Sequence, residues 1–449
     1  MKRRKRGTKK AEDSISTATA TAFSSLPWDI WNVVCEHAPK PTLVACSCVS
    51  RSWRDLARPH LFASITIARG EGDFVDVSED LCNNFPNVAR FIWRLELAHT
   101  SDWVAATHPR PVVSHDLLAT LLTKLPRLGD ICLRSVRIDT EQLQNVDAPT
   151  ERKLRKLEMV DCEVLDVVGG YNLPDPRVLF HFARALPADT VHIAVYNVIR
   201  LPATPAHPEP NLPLLAARSL SIKLRYEERY HTSAPWESSW LCDALRTTLA
   251  PNCLTTVYLG FWIRGHDVDC LRRLGRFLLH ACSPDLRRLV FPVMICSDVA
   301  AGQHHPEKTE YWRVLHLKKF VNIEELEFSL TPPRPGSHFS DADAPLVPLG
   351  AVCAAFLALL PPTIRKITII LWDLKEESQM KDKMLGLGVL DDALDARAPT
   401  LEKVRLVFRG NWYLLEFATT AMKAMAKCKK RGVLEIMDWF DHIGPTPNL

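Results

Sequence analysis

The sequence predicts an α/β chain, with a group of short helices over residues 23–62 followed by a solenoid of strand–helix units over 63–443. Three observations predict it. Phrases of the form apolar-x-x-apolar-x-apolar recur after Phe62, and their last two apolar positions alternate as a half-buried strand requires. Stretches of helical periodicity lie between the phrases. The spacing from one phrase to the next drifts from about 26 to about 41 residues, the scale at which repeats stack into a solenoid.

Residues 1–22 open with seven basic side chains in the first ten and continue in Ser, Thr and Ala without apolar periodicity, which predicts a disordered tail. Within it Lys2, Arg3, Arg4, Lys5 and Arg6 have the composition of a nuclear import signal; a solvated tail is the alternative. The stretch Leu26 to Ala57 reads as two or three short amphipathic helices. Pro27 suits a first helical turn and Asp29 the positive end of its dipole, and Ile30, Val33 and Val34 form one apolar face. Pro39 and Pro41 predict a break, Thr42 an N-cap, and Leu43, Cys46, Val49 and Trp53 a second face that Arg58-Pro59 ends. A unit of roughly 40 residues is too small to bury a good core alone, so its apolar faces need a partner.

The strand phrases begin with Arg94 to Leu97, Leu128 to Leu133, Leu154 to Met159, Thr190 to Ile193 and Leu220 to Leu224. They continue with Leu254 to Leu259, Leu286 to Phe291, Ile323 to Phe328, Ile364 to Ile369, Leu401 to Leu406 and Val433 to Ile436. Helices are predicted for His115 to Leu125, Pro176 to Leu186, Ser239 to Leu249, Leu271 to Ala281 and Leu349 to Leu360. Three Pro-rich insertions, Thr100 to Pro111, Leu201 to Pro213 and Thr331 to Pro348, exclude helix and central strand and are predicted surface loops. Residues 444–449 are predicted to be a loose tail.

The order Leu26-Pro27-x-Asp29-Ile30, a Pro break, then Leu43-x-x-Cys46-x-x-Val49-Ser50-Arg51-x-Trp53 resembles an F-box. Pro59-His60-Leu61-Phe62 and Ile65-Thr66-Ile67 resemble the segment that often follows it in fungal members. The strand–helix units resemble leucine-rich repeats in an irregular, long form; the Asn or Cys that the family prefers after the strand is mostly missing, although Asp161-Cys162 fits. A generic α/β domain with a mostly parallel sheet is the alternative. The F-box resemblance implies docking on a Skp-family adaptor through Leu26, Pro27, Ile30, Val34, Leu43, Cys46, Val49 and Trp53. Trp28 and Trp31 depart from the family pattern, as further adaptor contacts or as packing against the first repeat.

Composition bounds the rest. The 449 residues suffice for two or more domains, and 47% hydrophobic with 24% charged residues is an ordinary globular balance. The net charge of +4 falls to −3 without the seven basic residues of the tail, so the body lacks the basic surface that nucleic-acid binding requires. Thirteen scattered cysteines without a framework, behind a start that lacks a signal-peptide pattern, predict reduced thiols in a nuclear and/or cytoplasmic protein. The apolar run between Pro345 and Pro362 is too short for a membrane span.

No catalytic constellation stands out. Gly386-Leu387-Gly388 lacks the third glycine of a dinucleotide loop, and neither Cys46 and Cys48 nor His304 and His305 have metal-ligand partners at useful spacing, so no cofactor or metal is expected. Trp262, Arg264, Trp372, Arg409 and Trp412 follow strand phrases and are candidates for a substrate-binding surface, against the alternative of structural packing. By resemblance the chain is then the non-enzymatic substrate-recognition subunit of a cullin-type ubiquitin ligase, a monomer within a hetero-complex that holds an unknown protein substrate on its repeats. The alternatives are a repeat scaffold unrelated to ubiquitin whose N-terminal helices are a cap, an enzyme with a dispersed site, and nucleic-acid binding by the basic tail.

Overall fold

The computed structural model describes residues 27–100, 110–139, 152–165, 176–196, 213–225, 240–260, 263–264, 268–296, 313–331, 348–372, 374, 380–397, 400–409 and 413–443. The expected N-terminal tail, most of the three Pro-rich insertions and residues 444–449 lie outside the described residues. The described residues fall into two compact units, one of 27–67, 75–96 and 121–128, the other of 68–74, 97–120 and the residues after 128. The first thus reaches past residue 62, where the sequence placed its boundary.

The first unit opens with three helices, α1 (Trp28–His37), α2 (Lys40–Val49) and α3 (Arg51–Leu61). The short α4 (Val75–Asn84) and α5 (Pro86–Ala89) follow, and β1 (Ser64–Arg69) and β2 (Arg94–His99) start in this unit. Local chemistry shifts three expected boundaries. Pro27 is the N-cap of α1 and Pro39 that of α2, so Pro41 lies in the first turn of α2 and Thr42 is inside the helix. The second apolar run is two helices, because Ser50 is extended and its hydroxyl accepts the Trp53 N–H at 3.2 Å, capping α3. Pro59 sits inside the last turn of α3 and does not end it; Phe62 N–H still reaches the Arg58 carbonyl at 3.0 Å.

The second unit holds β3 (Val112–Val113), β4 (Asp130–Arg134), β5 (Arg137–Asp139), β6 (Leu154–Val160), β7 (Glu163–Leu165), β8 (Ala188–Tyr196) and β9 (Ser219–Arg225). It continues with β10 (Thr256–Gly260), β11 (Ile263–Arg264), β12 (Arg288–Cys296), β13 (Glu325–Thr331), β14 (Lys366–Trp372), β15 (Lys403–Arg409) and β16 (Leu434–Asp438). The helix α6 (His115–Lys124) divides between the two units. With the strands run α7 (Pro176–Ala185), α8 (Trp240–Thr248), α9 (Val268–Ala281), a 3-10 turn (Leu317–Lys319) and α10 (Leu349–Leu357). The last helices are α11 (Asp382–Leu385), α12 (Leu387–Asp395), α13 (Leu414–Ala424), α14 (Ala426–Lys430) and α15 (Trp439–Ile443).

From β4 the strands of the main sheet lie side by side in chain order, β4-β6-β8-β9-β10-β12-β13-β14-β15-β16, each parallel to the next. The short β3, β5 and β7 form a second parallel sheet. Paired residues of neighbouring strands are 26 residues apart at Asp130 and Lys156 and 41 apart at Glu325 and Lys366, which is the spacing read from the sequence. The register aligns like with like. One row runs Ile131, Leu157, Val191, Leu220, Val257, Leu289, Leu326, Ile367 and Val404, and two shorter ones run Leu133, Met159, Ile193, Ile222 and Leu259, and Phe291, Phe328, Ile369 and Leu406; all are buried. The rows between them are mostly polar. Helices cover the apolar side: Phe356 of α10 lies 4.9 Å from Phe328 and 6.2 Å from Phe291 between ring centroids, and Phe417 of α13 stacks on Phe408 at 5.2 Å. Pro292 donates no hydrogen bond, and the β12–β13 register shifts where it stands, between Phe291 and Ile295.

At most unit starts one carbonyl accepts two N–H groups from the next unit. Gly129 receives Arg155 and Lys156, Arg218 receives Thr255 and Thr256, Thr255 receives Arg287 and Arg288, and Arg287 receives Glu324 and Glu325. Glu324 receives Arg365 and Lys366, and Arg365 receives Glu402 and Lys403. In six of the phrases the first apolar residue, Leu128, Leu254, Leu286, Ile323, Ile364 or Leu401, is buried two residues before its strand begins. Threonine hydroxyls add to the turn: Thr363 reaches the carbonyls of Val321 at 2.6 Å and Ile323 at 3.0 Å, and Thr400 that of Pro362 at 2.7 Å. Gly386 has a left-handed φ of 59° and Gly350 packs against its carbonyl so closely that a Cβ there would lie 2.0 Å away, so the two glycines allow a close backbone crossing. Thr363→Val, which keeps the shape and removes the hydroxyl, is expected to cost about 1 kcal/mol in urea-induced unfolding.

Candidate functional site

The helices α1, α2 and α3 share a small core of Cys35, Leu43, Leu56 and Ala57, with Trp31, Ala38, Cys46, Trp53 and Leu61 packed against it. Trp31 and Trp53 meet edge to face at 5.0 Å between centroids. Trp31 therefore packs within its own unit. Lys40 Nζ donates to the Ser64 carbonyl at 3.1 Å, and His60 Nε2 lies 2.9 Å from Asn32 Oδ1, so side chains tie α1, α2 and the start of β1 to the bundle.

That core leaves much apolar surface outside. Trp28, Ile30, Val33 and Val34 on α1 and Val44 and Val49 on α2 are all exposed, Ile30 by 46% and Val49 by 69%. Six large apolar side chains in water on two short helices mark a contact surface. Of the expected adaptor residues, Pro27, Ile30, Val34 and Val49 are exposed, while Cys46 and Trp53 are partly covered. Leu43 is 3% exposed and faces the core, because the break at Ser50 turns α3 onto that side of α2; its side chain holds the bundle and is closed to a partner. Leu26 lies outside the described residues. Trp28, Val33 and Val44 join the exposed set at positions that periodicity alone did not separate from the core.

The second candidate surface is the polar side of the main sheet. Its outermost row runs Asp130, Lys156, Thr190, Ser219, Thr256, Arg288, Glu325, Lys366 and Lys403, and the next polar row includes Glu158, His192, Ser221, Tyr258, Glu327, Arg405 and Glu435. Ion pairs join the strands towards both ends, Arg155 to Asp130 near one and Arg288 and Lys366 to Glu325 and Lys403 and Arg405 to Glu435 near the other, while Lys156 pairs with Glu158 along β6 itself. Hydrogen bonding by Lys366 holds the Glu325 carboxyl below its ordinary pKa, and Lys403 does the same for Glu435. In the middle, His192 Nδ1 is 2.8 Å from Ser221 Oγ and Lys223 Nζ lies 5.2 Å from the Tyr258 ring centroid. Burial pushes the His192 imidazole down to about 4, against Glu158 and with help from Lys223 and Lys156.

The helix α15 lies on this polar side at the last strands. His442 Nε2 is 3.4 Å from Glu327 Oε1, and the Arg409 guanidinium sits 4.9 Å from the Trp439 ring centroid. Arg409, expected on a ligand surface, is thus engaged by the chain's own Trp439. Arg264 and Trp372 fall in β11 and at the end of β14; Trp262, Trp412, Lys2, Arg3, Arg4, Lys5 and Arg6 lie outside the described residues. The buried thiols are poor nucleophiles, burial raising Cys162 to about 12 and, with Asp391, Cys428 to about 12. Among the described residues no group of three or more His, Cys, Asp or Glu is placed to hold a metal, and no helix is long and apolar enough to cross a membrane.

A three-helix unit with its own core and large apolar side chains left in water is a protein-docking module. Residues 23–63 match the family model of the F-box domain, so the chain carries an F-box. F-box domains bind Skp-family adaptors within SCF complexes, and the domain implies a role in adaptor binding of the SCF ubiquitin-ligase type. Comparison with curated proteins finds no match for the chain.

Two expectations follow. Leu43→Ala is expected to destabilise the first unit by about 2–5 kcal/mol, as for a buried leucine, whereas Val49→Ala changes stability by less than about 0.5 kcal/mol; thermal unfolding distinguishes them. The folded state favours neutral His192, so the unfolded chain binds that proton first. The stabilisation is complete above pH 6.5 and is lost as the pH falls towards about 4. His192→Gln should flatten that part of the stability profile, read by denaturant unfolding at successive pH values.

Proposed function

We propose that the chain is the substrate-recognition subunit of an SCF-type cullin ubiquitin ligase. Its F-box docks a Skp-family adaptor through Leu26, Pro27, Ile30, Val34 and Val49, and its strand–helix units hold a protein substrate. The observation that carries this reading is the match at residues 23–63 together with the outward position of those four side chains.

The repeat region is read as an irregular leucine-rich-repeat solenoid of the form found in fungal F-box proteins. Strands paired in chain order and like residues in register support it. So does Cys162, whose thiol reaches back to the Leu133 carbonyl of the preceding unit at 3.4 Å from the position where such repeats prefer Asn or Cys. The polar side of the sheet is the substrate surface of this reading. The protein itself makes and breaks no bond; it raises the effective concentration of a substrate lysine near a charged conjugating enzyme. It acts as a monomer within the hetero-complex, in the nucleus and/or cytoplasm, without a cofactor.

The test is co-purification with a Skp-family adaptor. Wild type is expected to bind, and the Ile30→Asp/Val49→Asp variant to lose at least tenfold in affinity while unfolding at the same temperature. Failure of folded wild type to bind, or equal binding by the variant, overturns the reading.

A further inference from the structure

We propose that the outer side of α13, with the adjoining α14, is a docking site for an acidic amphipathic helix of a partner protein. The inner side of α13 is spoken for, since Phe417 stacks on Phe408 and Ala421 is fully buried. The outer side carries Leu415, Ala418, Thr419 and Met422 at i, i+3, i+4 and i+7, the spacing that puts them in one stripe. Leu415, at 76%, is the most exposed large apolar side chain among the described residues, and Met422 is 39% exposed. The Thr419 hydroxyl donates to the Leu415 carbonyl at 2.8 Å, which satisfies it within the helix and makes the stripe more apolar.

Over the stripe lies a shallow, open depression bounded by Ala418, Thr419, Met422, Lys423 and Lys429. Its rim is positive. Lys423, Lys429 and Lys430 pair with no carboxylate among the described residues, whereas Lys427 is held by Asp392 at 3.0 Å and Asp395 at 3.6 Å. Glu416 is the single acid on α13, and α14 has none. An apolar floor between lysines fits a helix with an apolar stripe flanked by Asp or Glu. The stripe runs over eight residues, a rise of about 10 Å, which matches two turns of such a helix. A second copy of the chain is the poorer occupant, because a two-fold contact through this face sets lysine rim against lysine rim.

The test uses the full chain and a fluorescein-labelled 18-residue synthetic helix with Leu at i, i+3, i+4 and i+7 and Glu on its flanks, against the same helix with Lys flanks. Anisotropy is expected to show binding of the Glu helix alone, weakened at least tenfold by Leu415→Glu/Met422→Glu and by Lys423→Glu/Lys429→Glu, with the second variant gaining affinity for the Lys helix. All four positions are exposed, and unchanged thermal unfolding verifies the fold. No binding of the Glu helix, equal binding of both helices, or binding indifferent to the variants overturns the proposal. So does a dimer in light scattering that Leu415→Glu/Met422→Glu dissolves, which makes the occupant a second copy.

Discussion

The second unit depends on one repeated contact, a carbonyl at the start of a unit that accepts N–H groups from two consecutive residues of the next. Gly129, Arg218, Thr255, Arg287, Glu324 and Arg365 all do this. A buried backbone group must find a partner, and at a turn ahead of a parallel strand the chain has none of its own. Borrowing a carbonyl from the preceding unit supplies it and at the same time sets the register. Once Glu324 and Glu325 are fixed on Arg287, Leu326 must fall beside Leu289 and Phe328 beside Phe291. The apolar rows, and the polar rows between them, follow from that alignment.

The bundle of α1, α2 and α3 solves a different problem. Three helices of ten or eleven residues enclose four buried side chains and a ring of half-covered ones. So small a core cannot absorb every apolar residue on two short helices, and the excess at Ile30, Val34 and Val49 remains in water. A bundle of this size separates cohesion from recognition by face: Leu43, Trp31 and Trp53 look inward, and their helical neighbours look out.

Much of this was legible in the chain. The strand phrases located β2, β4, β6, β8, β9, β10 and β12 to β16, because alternation over a few residues is enough to define a strand when one side is buried. Starts ran early by two residues at Leu128, Leu254 and Leu286, since the first apolar residue of a phrase is buried in the turn and not in the strand. The three short strands β3, β5 and β7 have too few residues to show any period. Within the first unit the apolar face of α1 was clear, but Leu43 could be sorted from Val49 only once Ser50 was seen to cap a third helix. Arg409 was unreadable in another sense. Its partner Trp439 lies 30 residues on, and no local pattern joins a strand end to an aromatic ring that returns from beyond the next strand.

Pairing in chain order has a consequence for how such a molecule comes into being. Each strand of the main sheet finds its neighbour within 41 residues or fewer, under a tenth of the 449-residue chain, so the sheet is built from contacts of low order despite being parallel. During synthesis a strand leaving the ribosome always meets an edge already in place, and none has to wait for a distant segment. Gain or loss of a whole strand–helix unit then disturbs only two junctions and rethreads nothing. Length variation of the kind seen between the 26- and 41-residue units is absorbed in the crossover, leaving the edge that receives the next strand unchanged.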